Sequence, residues 1–199
     1  MNESARKEWK NTSAFAALTP TGQVITWGSS LSGARDVIGA IPRLSSGVRQ
    51  IFSCGDGFAA VLADGSAISW RSRDQWLTID ANSEETRIKT ISSTNYAFAA
   101  LRENGSVSTW GDSYSGGHSS HLSEKLSQGV RDIYSSLRAF AALKSDGSVV
   151  TWGDELYGGS SISVSQALKS GVSKIFSTAG AFAALKIDGS VITWGDPNR

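Results

Sequence analysis

Tryptophan returns along this chain at a nearly fixed interval. Trp27, Trp70, Trp110, Trp152 and Trp194 are spaced 43, 40, 42 and 42 residues apart. Phe15, Phe58, Phe98, Phe140 and Phe182 show the same four spacings. Two independent aromatic markers in one register define five copies of a unit of about 42 residues, a period that belongs to solenoids, propellers and repeat arrays. The copies fall at approximately 5–46, 47–86, 87–128, 129–170 and 171–199, and residues 1–199 read as one repeat domain.

The fourth copy is the clearest and reads GVRDIYSSLRAFAALKSDGSVVTWGDELYGGSS from Gly129. Its opening GVRDIY alternates apolar and polar residues, as a half-buried strand does. AFAALK is then followed by a turn pair and by SVVTW. The turn pair is Asp-Gly at 64–65, 146–147 and 188–189, Asn-Gly at 104–105 and Thr-Gly at 21–22. A two-residue hairpin loop needs positive φ, which glycine adopts cheaply and Asp or Asn tolerates, so each copy is expected to hold a tight hairpin. The Gly- and Ser-rich stretch after each Trp-Gly is expected to add a turn and one short outer strand, giving three to four strands per copy. Paired helices of similar period do not fit. Gly and Ser interrupt every candidate helix, while Val, Ile, Thr, Phe and Trp dominate the apolar runs. Only short pieces such as 163–170 suit a turn of helix. The fold class is therefore all-β, a β-propeller of five blades, each a mostly antiparallel sheet. Alanine pairs such as Ala141–Ala142 leave room where blades crowd. Each repeated Trp supplies area between blades, contributing roughly 2–3 kcal/mol.

The run Asp146–Gly153, the Gly158–Gly159 bend and Ser170–Val172 resemble the regulator-of-chromosome-condensation repeat family. The resemblance is to its short-repeat bacterial branch, which includes a propeller-type β-lactamase inhibitor, and covers about Ala5 to Asp196. It implies blades arranged in a ring, seven in typical members, that bind proteins through loops at one face. This chain departs in having five copies. The last copy stops at Arg199, without the counterpart of 153–170. Three arrangements stay open: a five-bladed ring lacking one outer strand, an open arc, or a piece of a longer propeller. An open arc exposes a terminal strand edge and a blade face, which favours homo-oligomers.

Charge narrows the partners. Nineteen Lys+Arg stand against 18 Asp+Glu, so no basic footprint for nucleic acid is present. The cluster Arg6, Lys7 and Lys10 reads as a solvated segment. No run approaches the roughly 18 apolar residues of a membrane span. Residues 1–20 carry no signal-peptide pattern, so the expected location is the cytoplasm, or outside by export without an N-terminal signal. The single Cys54 excludes an internal disulfide and reads as a small buried filler.

No catalytic constellation stands out, and the expectation is no enzyme activity, no cofactor and no metal. His118 and His121 form an H-x-x-H pair without a third ligand, read as two exposed loop histidines. Asp112, Asp154 and Asp196 recur at one repeat position, which suits a turn rather than a reaction. Informative positions are those that break the repeat. After Trp70 the second copy reads RSRDQWLTID, with Arg71 where Gly28, Gly111, Gly153 and Gly195 stand, and Trp76 where Gly33, Gly116 and Gly158 stand. Arg71, Arg73 and Trp76 have the chemistry of binding hot spots. Tyr96, Tyr114 and Tyr157 occupy variable loop positions and suit an interface, where tyrosine offers area at small entropic cost. The expected function is a non-catalytic scaffold that recognises a protein partner through its inter-strand loops. The alternatives are a specific inhibitor of a β-lactamase-like hydrolase, implied by the resemblance, and a self-assembling module. Guanine-nucleotide exchange ranks below these, because the blade count of that branch is not reached.

Overall fold

A computed structural model describes residues 11–34, 37–71 and 76–197, with the side chain of Trp76 outside that set. Its strands form five antiparallel sheets in chain order. The first holds β1 (Ala14–Leu18) and β2 (Val24–Gly28). The second holds β3 (Val48–Cys54), β4 (Gly57–Leu62), β5 (Ala67–Arg71) and β6 (Trp76–Ile79). The third holds β7 (Ile88–Ser93), β8 (Ala97–Arg102) and β9 (Val107–Gly111). The fourth holds β10 (Val130–Ser135), β11 (Ala139–Lys144) and β12 (Val149–Gly153), and the fifth β13 (Val172–Ser177), β14 (Ala181–Lys186) and β15 (Val191–Gly195). In every sheet the repeated Phe lies opposite the repeated Trp, and the two rings stack with centroids 5.2–5.6 Å apart.

Among the described residues the expected outer strand forms only in the second sheet, as β6. Elsewhere the stretch after Trp-Gly makes short helical turns, 3-10 at Ser30–Ser32, Glu155–Tyr157 and Ile162–Val164 and π at Ser113–Gly117. In the third and fourth repeats the recurring aspartate supports the turn, while Ser29 in the first makes no such bond. The Asp112 side chain accepts the Ser115 N–H and that of Asp154 the Leu156 N–H, curling the chain back before it can extend. The helical turn expected near 163–170 is present at Ile162–Val164 and the turns that follow.

The hairpins are tight but longer than the two-residue loop read from the Asp-Gly pair. Lys144 N–H donates to Ser148 O and Gly147 N–H to Lys144 O, which leaves a three-residue loop, 145–147, ending on a positive-φ glycine. Only Gly147 takes positive φ there, at 79°. A β-carbon on it would lie 2.8 Å from Gly171 N, so glycine also lets the next blade begin against this turn. Asp146 serves the turn differently: Oδ1 accepts the Ser148 N–H at 2.9 Å and its hydroxyl at 2.6 Å. The same pair of bonds recurs at Asp64 and Asp188.

These hydroxyl and backbone donors hold all three carboxyls below the usual 3.8. A carboxyl lowered in the folded state adds stability above its unfolded value, and that contribution disappears as pH falls through the folded value. Stability is therefore expected to fall as pH drops below 3.8. Asn104 makes the same two bonds to Ser106 without titrating there. Hence Asp146→Asn should flatten the acid slope while keeping the turn, as read by urea unfolding across a pH series.

The core lies between sheets. Side chains alternate along a strand, so AFAAL presents Ala139, Ala141 and Leu143 to one neighbour and Phe140 with Ala142 to the other. Phe140 and Trp152 pack on Ala97, Ala99 and Leu101 of the preceding sheet. Phe182 and Trp194 pack on Ala139, Ala141 and Leu143 in the same way. The first strands of successive sheets turn inward and meet, with Ser93 Oγ donating to Ser53 O and Ser92 Oγ to Ile133 O. They surround an axial cavity of about 300 Å3 whose lining draws on all five repeats, from Asn11 to Ser177. Four buried clusters join sheets one to two, two to three, three to four and four to five. Among the described residues no such cluster joins the fifth sheet to the first, and Phe15 and Trp27 are half-exposed.

Candidate partner-binding face

Strand direction sorts the loops. The first-to-second-strand turns and the loops after each third strand emerge at one end of the blades, and the Asp-Gly hairpins at the other. At the first end the turns bond to one another from sheet to sheet. Gly55 N–H donates to Asn95 O at 2.7 Å, Asn95 N–H to Leu137 O at 2.8 Å, and Leu137 N–H to Ala179 O at 2.9 Å.

The loops after the third strands are clamped on two sides. On one side a polar residue of the blade's own turn reaches over: Asn11 Nδ2 donates to Ser32 O, Thr94 Oγ1 to Ser115 O and Ser136 Oγ to Tyr157 O, at 2.7–2.9 Å. On the other, the next blade's Trp donates its indole N–H to a loop glycine carbonyl: Trp70 to Gly33, Trp152 to Gly116 and Trp194 to Gly158. A loop fixed at both sides loses little entropy when it meets a partner.

Residues at the tips of these clamped loops are exposed. Leu31, Tyr114 and Leu156 stand four positions after Trp27, Trp110 and Trp152. They are 71%, 78% and 75% exposed. Tyr96, on the turn between β7 and β8, is 37% exposed.

The second repeat departs at both clamps. Cys54 occupies the position of Thr94 and Ser136, and its thiol donates instead to Asp56 Oδ1. Burial pushes that thiol up to about 12, which keeps it protonated and unreactive at neutral pH. Trp76, in place of the loop glycine, lies in β6 opposite Trp70. Arg71 donates Nη2 to Tyr96 O and pairs with Asp56 at 3.5 Å, so it links the second blade to the third.

The residues singled out in the sequence thus fall into separate groups. Arg71 and Tyr96 are joined. Tyr157 is half-buried in the joint between the fourth and fifth sheets, with the Arg138 guanidinium 5.4 Å from its ring centre and Arg138 paired to Asp154. Tyr114 stands on its own loop. Arg73 and the Trp76 side chain lie outside the described residues. Sequence reading missed Leu31, Leu156 and Arg138. Leucine resembles core by type. The signal available was variability at a fixed repeat position: Ser13, Asp56, Tyr96, Arg138 and Gly180 are equivalents.

His118 Nε2 hydrogen-bonds Ser120 Oγ at 2.7 Å. Among the described residues no three His, Cys, Asp or Glu side chains group as metal ligands, and no helix is long and apolar enough to cross a membrane.

Five sheets joined face to face about an axis, with clamped loops at one end, make a β-propeller fold, similar to that of solved RCC1 proteins. Among solved structures, the chain is similar to yeast RCC1 (Prp20) bound to Kap60, at TM-score 0.62 and 17% identity over 93% of this chain and 54% of that one. It is similar to Prp20p from Saccharomyces cerevisiae, in a study of its binding to Gsp1p and histones, at TM-score 0.61 and 16% identity over 93% and 56%. Human WBSCR16 follows at TM-score 0.58 and 16% identity over 93% and 60%. The chain spans a little over half the length of these proteins. No protein-family model and no curated protein sequence matches it. The expected resemblance therefore holds at the level of fold.

Proposed function

We propose that this chain is a non-catalytic scaffold that binds a protein partner at the loop end of its blades. The supporting observation is the recurrence of a large exposed apolar side chain, Leu31, Tyr114 and Leu156, on loops clamped from both sides. Exposed apolar groups held on a rigid frame are the chemistry of interface anchors. Tyr96 flanks them on the adjacent turn, and Arg71 ends β5 and Trp76 opens β6 at the same end. The structural neighbours were studied with protein partners, Kap60 in one case and Gsp1p and histones in another, which supports protein recognition as the general role.

A photo-crosslinking amino acid placed at 114 or 156 should capture the same protein, and one placed at Ile187, at the hairpin end, should not. With the captured protein purified, Tyr114→Ala should weaken its binding by about tenfold, the scale of a modest hot spot. Capture from 187 alone, or unchanged affinity for Tyr114→Ala combined with Leu156→Ala, refutes this reading.

A further inference from the structure

A cleft of about 760 Å3 runs down the outer flank of the fourth sheet. Its floor is the outer edge of β12, and its walls are the loop before the fourth sheet and the helical turns after it. At the hairpin end it is ringed by Lys125, Lys144 and Lys169. None of the three pairs with a carboxylate among the described residues, where the ion pairs belong to arginine. Lys144 Nζ donates to Lys125 O at 3.0 Å, which fixes the ammonium group without neutralising it. The acidic side chains on the lining are Asp146 and Glu155. Asp146 feels Lys144, but its Oδ1 is committed to Ser148, and Glu155 stands at the far, loop end. The third sheet has the same cleft without the charge. There Ser106, Thr109, Ser119 and Ser127 stand in place of Ser148, Thr151, Ser161 and Lys169, and no lysine lines it. The hydroxyl pairs Thr109–Ser119 and Thr151–Ser161, at 2.9 and 3.0 Å, brace both clefts. In the first repeat the place of Lys125 is held by Arg43, which is spent on Asp64 at 2.8 Å. The frame therefore belongs to the repeat, and the free cations are an addition at the fourth sheet.

We infer that this cleft binds an acidic peptide segment of a partner protein, lying extended down the flank with its carboxylates at Lys125, Lys144 and Lys169. Unneutralised cations converging on one cleft attract and orient an anionic ligand. The apolar part of the lining selects a peptide among anions. Leu122, Val149 and Ile162 lie along the cleft, Ile162 at 82% exposure, and they suit aliphatic side chains that a sulfated glycan or a nucleic acid lacks. With a net charge of +1 the chain offers no broad basic field of the kind nucleic acid needs. The strand edge adds a main-chain contact. In an antiparallel edge every second residue points its N–H and C=O outward. Val149 is one, its N–H already donated to Leu168 O at 3.0 Å, so Thr151 is the next and meets the middle of the cleft. Ser113 and Glu155 line the mouth beside Tyr114 and Leu156, yet the inference goes beyond the loop-end reading and does not rest on it, because a free peptide can fill the cleft.

Fluorescence anisotropy at low ionic strength tests this with two labelled peptides, EIEELE and its neutral counterpart QIQQLQ. The chain should bind EIEELE saturably and QIQQLQ about tenfold more weakly. Lys125→Glu combined with Lys169→Glu should weaken EIEELE by about tenfold, and the milder Lys125→Gln with Lys169→Gln should act in the same direction. Lys89→Glu combined with Lys174→Glu makes the same change of net charge away from the cleft and should leave binding unchanged. Ile162→Ser should weaken EIEELE by about threefold. Unchanged far-UV circular dichroism and urea midpoints separate lost binding from lost fold. A chain that binds neither peptide, or both alike, overturns the inference. So does an equal loss from the Lys89 and Lys174 pair, which reports net charge alone. A heparin-derived hexasaccharide that displaces EIEELE and binds more tightly also overturns it, since the cleft then belongs to a glycan. Tyr114→Ala should leave EIEELE binding unchanged, so failure here and failure of the loop-end reading are told apart.

Discussion

Phe140→Ala should lower the free energy of unfolding by about 3–5 kcal/mol, whereas Phe15→Ala, the same change at the same place in the first repeat, should cost about 1 kcal/mol or less. Both rings stack on the tryptophan of their own hairpin, so local structure does not distinguish them. What differs is the sheet in front. Phe140 is enclosed by Ala97 and Ala99, and it covers Gly116 so closely that a β-carbon there would lie 2.7 Å from the ring. Alanine and glycine have no side chain to swing into the space, so the cavity left by truncation persists, and its cost adds to the lost transfer energy. Phe15 has no such wall and is already half in water. In an array of neighbour contacts, a joint lost in the middle uncouples blades on both sides, which adds to the asymmetry. Urea unfolding followed by circular dichroism measures both. Equal costs would mean that the first sheet is covered in the free chain, against its exposure.

The blade was legible because its markers are large and periodic. The sheets set Ala139, Ala141 and Leu143 on one face and Phe140 with Ala142 on the other. Two local features were less legible. The Asp-Gly pair shows that a turn is present but not its length, since one positive-φ glycine satisfies a three-residue loop as well as a two-residue one. The stretch after Trp-Gly has the composition of a turn followed by a strand. Asp112 and Asp154 read as turn residues, yet the turns they cap, a π turn at Ser113–Gly117 and a 3-10 turn at Glu155–Tyr157, are decided by backbone N–H groups that composition does not reveal. On the candidate face, tyrosine drew notice by type and Tyr114 is indeed exposed, while Tyr157 at a neighbouring loop position is drawn inward under Arg138. Leu156 takes the outer place instead. One residue of register within a loop separates an exposed side chain from a half-buried one, and the alignment of the repeats carries that register where residue type does not.

The break in the second repeat has an energetic consequence at the third. Trp152→Phe should destabilise the chain by about 2–3 kcal/mol, and Trp110→Phe by about 1 kcal/mol or less. Both indoles are buried between blades and both stack on a phenylalanine. Trp152 Nε1 donates to Gly116 O at 3.0 Å, so phenylalanine there loses area and strands a buried carbonyl. Trp110 Nε1 is buried without an acceptor among the described residues. The carbonyl that should meet it belongs to the loop glycine of the preceding repeat, and that place is held by Trp76, drawn into β6 opposite Trp70. An unpaired buried N–H already carries its desolvation penalty, and removing it offsets much of the packing lost with the smaller ring. The comparison needs only the two variants and their unfolding midpoints in urea, followed by circular dichroism. A larger loss at Trp110 than at Trp152 would show that the third blade has found an acceptor for its indole, and that the altered second-repeat loop closes over the joint as the glycine loops do elsewhere.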